Sequence, residues 1–296
     1  MVETCCFGAF MSADKTTADP WVLCKCLDRS SKWWWGISLI FKGAAFAVGL
    51  AVFLPHIPSE PIPFVVAGLT LFSELAGYRM ERVKGIAQGL RRKLEALNSF
   101  AWEISNRELS DLIARCSGSV KKRAKSEVTD EPYYASKEQP GPKRAAENVM
   151  ESAWWSKHLS ESMFWTCSVM IGIAICGSLV ALVVSILAIS DHSTLSSVAR
   201  LVTSVLLLGL SCGLVRLAMG YYSFGQKAGQ VEVQAEALLT KKVVLIDAVK
   251  LLHEYQLARS SAPIIPEWIW KWKRDELNSL WLTYRQKVSD ASESVG

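Results

Sequence analysis

From Ser162 to Ser190 the chain carries no charged residue, and no other feature constrains its fold so strongly. Wound as an α-helix at 1.5 Å per residue, this block exceeds the roughly 30 Å hydrocarbon layer of a bilayer. Three further apolar blocks accompany it. Trp33-Trp34-Trp35 opens the first, which runs to Leu54 and stops at Pro55-His56-Ile57-Pro58. Pro61 and Pro63 open the second, which ends at Tyr78 before Arg79, Arg82 and Lys84. The fourth runs from Ser197 to Tyr222, with Arg200 near one end and Arg216 near the other. Tryptophans beside Arg29 and Lys32 suit a membrane–water interface, and the short turns after Leu54 and Ser190 pair the blocks. The expected fold is an all-α membrane protein with four transmembrane helices in two hairpins, residues 33–78 and 162–222.

Basic residues set the orientation. The turn around Pro55 has no Lys or Arg and the turn after Ser190 has only Arg200, whereas Arg79 to Lys157 holds sixteen and Lys227 onward holds ten. The positive-inside bias puts both turns outside and both large segments in the cytoplasm. The net charge of +5 therefore reads as topology before it reads as nucleic-acid binding. A multi-pass protein of the inner (plasma) membrane follows, both termini cytoplasmic, with a polar segment 1–32, a helical insert 79–161 and helical tail 223–296. Insert and tail are expected to build one cytoplasmic helical domain. Residues 1–20 are polar with no apolar stretch of the signal-peptide kind, so the first block is expected to act as both signal and anchor.

Within these segments the patterns are helical. Leu90, Leu94 and Leu97 share a face that carries the second helix on to Phe100, and Ser105-Asn106-Arg107-Glu108 has the form of a capping box. Lys121 to Pro142 reads as an exposed loop, and Lys143 to Ser160 as a helix feeding the third block. Val231, Leu238, Leu245 and Leu252 recur every seven residues, a heptad with a mixed partner row. Pro266 suits the first turn of a last helix through Trp268, Trp270, Trp272 and Trp281.

No P-loop, HExxH or GxSxG signature and no carboxylate cluster at ligand spacing is present, so the chain reads as a non-enzyme with no cofactor and no catalytic residue. The histidines, His56, His158, His192 and His253, are scattered. Cys24-x-Cys26 lacks the second pair that a zinc site needs, and Cys5-Cys6 can be palmitoylated or plain. Lys42 and Glu74 stand inside the first two blocks at matching depth. A pair is the cheap solution, because a lone charge there costs about 2.5–3.5 kcal/mol. Lys42, Glu74 and Arg216 are the candidates for a pore or gate; a neutral pair, or Glu74 snorkelling towards Arg79, is the alternative. Gly209-x-x-x-Gly213 and Gly172-x-x-x-Cys176 permit close helix approach within a hairpin or between subunits. Gly85-x-x-x-Gly89 and Gly225-x-x-x-Gly229 suggest a stalk where the second and fourth helices meet. Arg91, Arg92, Lys121, Lys122, Arg123, Lys143, Arg144 and Arg274 are candidates for ligand contact: nucleotide phosphate, anionic lipid headgroups, or nothing beyond solvent.

Several segments resemble one family: Pro132-Tyr133-Tyr134-Ala135-Ser136, Gly141-Pro142-Lys143-Arg144, Glu151-Ser152-Ala153-Trp154-Trp155, Leu252-His253-Glu254-Tyr255-Gln256, and Ile265-Pro266-Glu267-Trp268-Ile269 with Arg274 and Leu277-Asn278 after it. With the hairpin–insert–hairpin–tail layout over residues 33–285, the chain resembles the SMODS-associated four-transmembrane and SLATT-like effectors of bacterial antiviral defence. The resemblance implies an oligomeric pore-forming or membrane-disrupting effector. It would be controlled by a nucleotide second messenger or oligonucleotide from a partner nucleotidyltransferase, and ligand contact would fall to the insert and tail. A non-conducting membrane scaffold, docking cytosolic partners through the tail, is the alternative.

Overall fold

The computed structural model describes residues 19–50, 60–127, 133–188 and 213–293, together with residues 198, 199, 202, 203 and 205. Cys5 and Cys6, the turns around Pro55 and Asp191, His56, His192, Arg200 and Gly209 lie outside the described residues. Among the described residues the secondary structure is all helical, eight helices and no strand.

Helix α1 is Pro20–Leu50. It opens where the Asp19 side chain accepts the Trp21 N–H at 2.8 Å, with Pro20 in the first turn. Much of the segment expected to be a polar lead-in is therefore helix. Val22, Leu23, Cys26 and Leu27 recur at helical spacing and are buried, a stripe masked in composition by Lys25, Asp28 and Arg29. Helix α2, Ile62–Phe100, runs uninterrupted beyond the second apolar block and stops at Ala101, which turns left-handed (φ 56°) and donates its N–H to Leu97 O at 2.9 Å. The capping box forms: Ser105 Oγ accepts the Glu108 N–H at 3.3 Å and opens α3, Asn106–Arg115. The basic stretch expected as a loop is instead helix α4, Gly118–Ser126, which buries Val120 and Ala124. Those two apolar residues, one turn apart, outweigh the surrounding charge.

Helix α5, Pro142–Ala188, is continuous from the insert through the third apolar block. It is the one helix among the described residues long and apolar enough to cross a membrane, and only 11% of its most apolar window is buried. Helix α6, Leu214–Leu239, begins in the middle of the fourth predicted span. Gly213 precedes it at φ 68°, which a right-handed helix cannot pass through, so this span is not one unbroken rod. Helices α7, Leu245–Ser261, and α8, Glu267–Glu293, complete the chain. The heptad row crosses the reversal between α6 and α7. Val231 and Leu252 share a buried cluster while Leu245 is exposed, so the heptad with its mixed partner row serves an antiparallel hairpin and not one continuous helix.

Helices pair antiparallel: α1 with α2, and α5 with α6. Ser38 and Ser73 exchange hydrogen bonds across the first pair, each hydroxyl donating to the other's carbonyl at 3.0–3.1 Å. Phe164 meets Tyr222, and Lys157 meets Glu232 at 3.1 Å, across the second. Insert and tail share a core only in part: Val149, Ala153 and Trp154, in the second half of the insert, are buried with the tail, and the first half is not. Helices α3 and α4 pack with α1 and α2 around Leu27, Leu90 and Leu94, whereas α7 and α8 pack with α5 and α6 around Trp154, Tyr221, Tyr255 and Trp281. The predicted glycine stalk is rearranged too: Gly225 and Gly229 face Ser160 and Lys157 of α5, and Gly89 faces Leu112 of α3.

Gly220 fits because Pro263 presses on it; a Cβ there would stand 2.8 Å from Pro263 Cγ. Gly220→Ala should lower stability in detergent by about 1–3 kcal/mol through overpacking. Gly172→Ala, where a Cβ meets nothing within 4 Å, should stay within ~0.5 kcal/mol of the parent. Equal thermal unfolding of the two variants would remove the Gly220–Pro263 contact from the fold.

Candidate functional site

Helix α2 carries a charged constellation in each half. In the N-terminal half, Lys42 Nζ lies 3.8 Å from Glu74 Oε1, so the antiparallel pairing of α1 and α2 brings the two predicted charges together. The contact is lopsided. The Lys42 side chain is 25% exposed and that of Glu74 is 70% exposed, on a surface shared with Leu71, Phe72, Leu75 and Tyr78. The serine pair, one turn away, fixes this register: Ser73 is fully buried, and Gly77 lets Ser38 approach to 3.9 Å of where a Cβ would stand. Ser73-x-x-x-Gly77 is a small-residue spacing that sequence reading passed over. Arg216, the third pore or gate candidate, is exposed in the first turn of α6.

In the C-terminal half of α2, Glu95 is 1% exposed and binds both Arg259 amino groups, at 2.6 and 2.8 Å. Gln256 Nε2 donates to it at 3.0 Å and Tyr134 Oη at 3.3 Å. Burial alone pushes the Glu95 carboxyl up. The Arg259 charge and its hydrogen bonds, Arg91 and the Gln256 amide more than reverse this and hold it below the usual carboxylate range. Burial likewise works against the Arg259 cation, and Glu95 holds it well above its ordinary value. Around this pair, Lys84 Nζ donates to Ala262 O at 2.8 Å and Gln88 Nε2 to Arg259 O at 3.4 Å, so α2 caps the carbonyl end of α7. Asn148 Nδ2 donates to Asn98 Oδ1 at 2.9 Å, and Gly141 N to Ser99 O at 2.7 Å, tying α5 to the end of α2. Glu95 thus joins the two helix clusters. Its signal in sequence was the Arg91–Glu95 spacing beside the Ala87, Leu90, Leu94 stripe; the partner Arg259 lies in another helix and left no local trace.

The predicted ligand residues are not gathered into a pocket. Arg91 pairs with Asp28 of α1, and its Nε is buried without a partner. Lys143 binds Glu138 at 2.7 Å, and Arg144 donates to Glu138 O at 3.1 Å. Arg274 stacks on Trp270, 4.9 Å from the ring centroid. Arg92, Lys122 and Arg123 are exposed and Lys121 is half-buried. A groove of about 300 Å³ between α6 and α7 is lined by Lys227, Gln230, Gln234, Glu254 and Leu257, and by none of them. Cys24 and Cys26 are buried in the α1 core, where burial pushes both thiols up, and no group of three or more metal-ligating side chains occurs among the described residues.

Comparison with protein-family models, curated proteins and solved structures finds no match for this chain.

Replacing Glu95 by Gln leaves Arg259 buried against a neutral amide and should cost about 3–5 kcal/mol. Because the native carboxyl sits below its unfolded counterpart, the Glu95 contribution is complete above the ordinary carboxylate range and is lost as pH falls through the native value. Acid titration of thermal stability should therefore show a shallower fall in Glu95→Gln than in the parent. Parallel curves would remove Glu95 as the source of acid sensitivity.

Proposed function

We propose that the chain crosses the membrane four times as two hairpins, both termini cytoplasmic, and assembles into an oligomeric pore-forming or membrane-disrupting effector. The α5 helix supports the membrane reading: Trp165, Ile173, Val180 and Leu187 stand exposed along it, a surface that water would disfavour and lipid or neighbouring subunits would accept. The other three crossings rest on the apolar blocks of the sequence, the fourth being interrupted at Gly213.

The observation that carries the pore reading is Glu74. A carboxylate 70% exposed among lipid-seeking side chains is unfavourable against hydrocarbon, by about 2.5–3.5 kcal/mol at mid-bilayer, and the 3.8 Å contact with Lys42 leaves most of it uncovered. A second copy of the chain, or water in a lumen between copies, satisfies it. A single pair of hairpins has little room for an axial channel, so the lumen lies between subunits. Lys42 and Glu74 then line or gate the path. The signal reaches them along α2, an unbroken helix from Glu95 at the two-cluster junction to Glu74 in the first hairpin. Control by a nucleotide second messenger in antiviral defence rests on the family resemblance. It draws support from the way the resembling segments meet one another: Tyr134 and Gln256 on Glu95, Ala135 N on Glu151 at 3.1 Å, and Tyr255 Oη on Ser152 O at 2.9 Å.

Topology is tested first. Reporter fusions at residue 130 and at the carboxyl end should both be cytoplasmic; either one outside the cytoplasm overturns the arrangement. Purified protein in planar bilayers should then conduct, and Glu74→Ala or Lys42→Ala should change conductance and cellular toxicity several-fold with membrane insertion unchanged. Intact insertion without conductance in the parent protein would favour the scaffold reading instead.

A further inference from the structure

Helix α8 buries Ile269, Leu277 and Trp281 against α5 and α6, yet its first turns display large indoles to the outside. Trp268 is 53% exposed and Trp272 is 64% exposed, one turn apart on a face that also holds Lys271. Contacts with two other helices fix the level at which this face sits. Lys84 of α2, just past Tyr78, binds the Ala262 carbonyl. Tyr221 of α6 donates to Ile264 O at 2.5 Å, and Pro263 packs on Gly220. The Glu267 carboxylate acts electrostatically on Arg29 and Lys32 of α1, immediately before Trp33. Each of these positions adjoins the inner end of a predicted span.

We propose that the first turns of α8 lie in the cytoplasmic membrane–water interface, with Trp268 and Trp272 seated among the phospholipid headgroups of the inner leaflet. The proposal rests on the four-crossing reading given above. Indoles favour this layer because their apolar rings and single N–H donor suit its two sides. Charge separates a lipid interface from a nucleotide phosphate. Lys271, Lys273 and Arg274 are matched one for one by Glu267, Asp275 and Glu276, and two of the cations are already paired, Lys271 with Glu267 at 3.3 Å and Lys273 with Glu276 at 2.8 Å. A polyanion finds little attraction there, whereas an indole at headgroup depth needs none. Arg274 stacks on one face of the third exposed indole, Trp270, and Lys273 stacks over Trp272 at 4.8 Å, which places cations beside the aromatic surface. The tail is thereby held against the bilayer at the same level as the α2 and α6 span ends, on the membrane side of the Glu95 junction.

The test uses the full chain in native membrane vesicles, with photoreactive benzoylphenylalanine placed in turn at Trp268, Trp272, Leu179 and Ile246. Leu179 is exposed on the apolar part of α5; Ile246 is exposed about 24 Å along α7 from Ala262. The proposal expects phospholipid adducts by mass spectrometry at 179, 268 and 272, with yields at 268 and 272 several-fold above that at 246. Adducts at 179 but not at 268 or 272 overturn the proposal and leave the membrane reading standing. Protein or nucleotide adducts in place of lipid at 268 and 272 also overturn it, in favour of a docked partner. No lipid adduct at 179 removes the membrane reading and the proposal with it.

Discussion

The structure depends on one buried carboxylate. Glu95 is enclosed by α2, α7 and the segment leading into α5, and it meets Arg259 through both of its oxygens. A pair like this gains little over an apolar replacement of the same shape, because two charges must leave water before they attract. Its effect lies in exclusion. Any other placement of α7 on α2 strands a carboxylate or a guanidinium in the interior, so the docking of the tail onto the first hairpin has one register. The Lys84 and Gln88 caps on the end of α7 reinforce that register from the next two turns of α2.

Through this junction the two helix clusters become one object. The first holds α1 to α4; the second holds α5 to α8; among the buried residues their apolar cores remain separate. Polar contacts join them: Glu95 with Arg259, Gln256 and Tyr134, and Asn148 with Asn98. Polar joints carry direction and can be altered by charge, whereas apolar cores of this kind merely hold. A continuous α2 that carries Glu74 in its N-terminal half and Glu95 in its C-terminal half gives the proposed effector a mechanical connection between its tail and its first hairpin.

Much of the fold was legible because local rules govern helices. The capping box at Ser105, the continuation of α2 to Phe100 and of α5 out of the insert, and the start of α8 after Pro266 all follow from residues within a few positions of one another. The approach of Lys42 to Glu74 was legible from depth alone, since a short turn forces antiparallel pairing. The failures have equally physical causes. In α4 the basic composition hid a two-residue apolar contact, and in residues 20–32 it hid an apolar stripe. The heptad of Val231 to Leu252 was read through a reversal that its period cannot see.

Hydrophobic periodicity, capping residues and the placement of Lys and Arg determined by themselves that this chain is helical, where most helices begin and end, and which stretch is apolar enough to cross a membrane. Those properties depend on neighbours along the chain. Tertiary structure alone decided that Glu95 would find Arg259, that Arg91 would serve Asp28, that the glycines of α6 would face α5, and that Trp268 and Trp272 would stay uncovered. Each of these joins residues far apart in sequence, and a partner across such a distance is chosen by packing of whole helices, not by spacing.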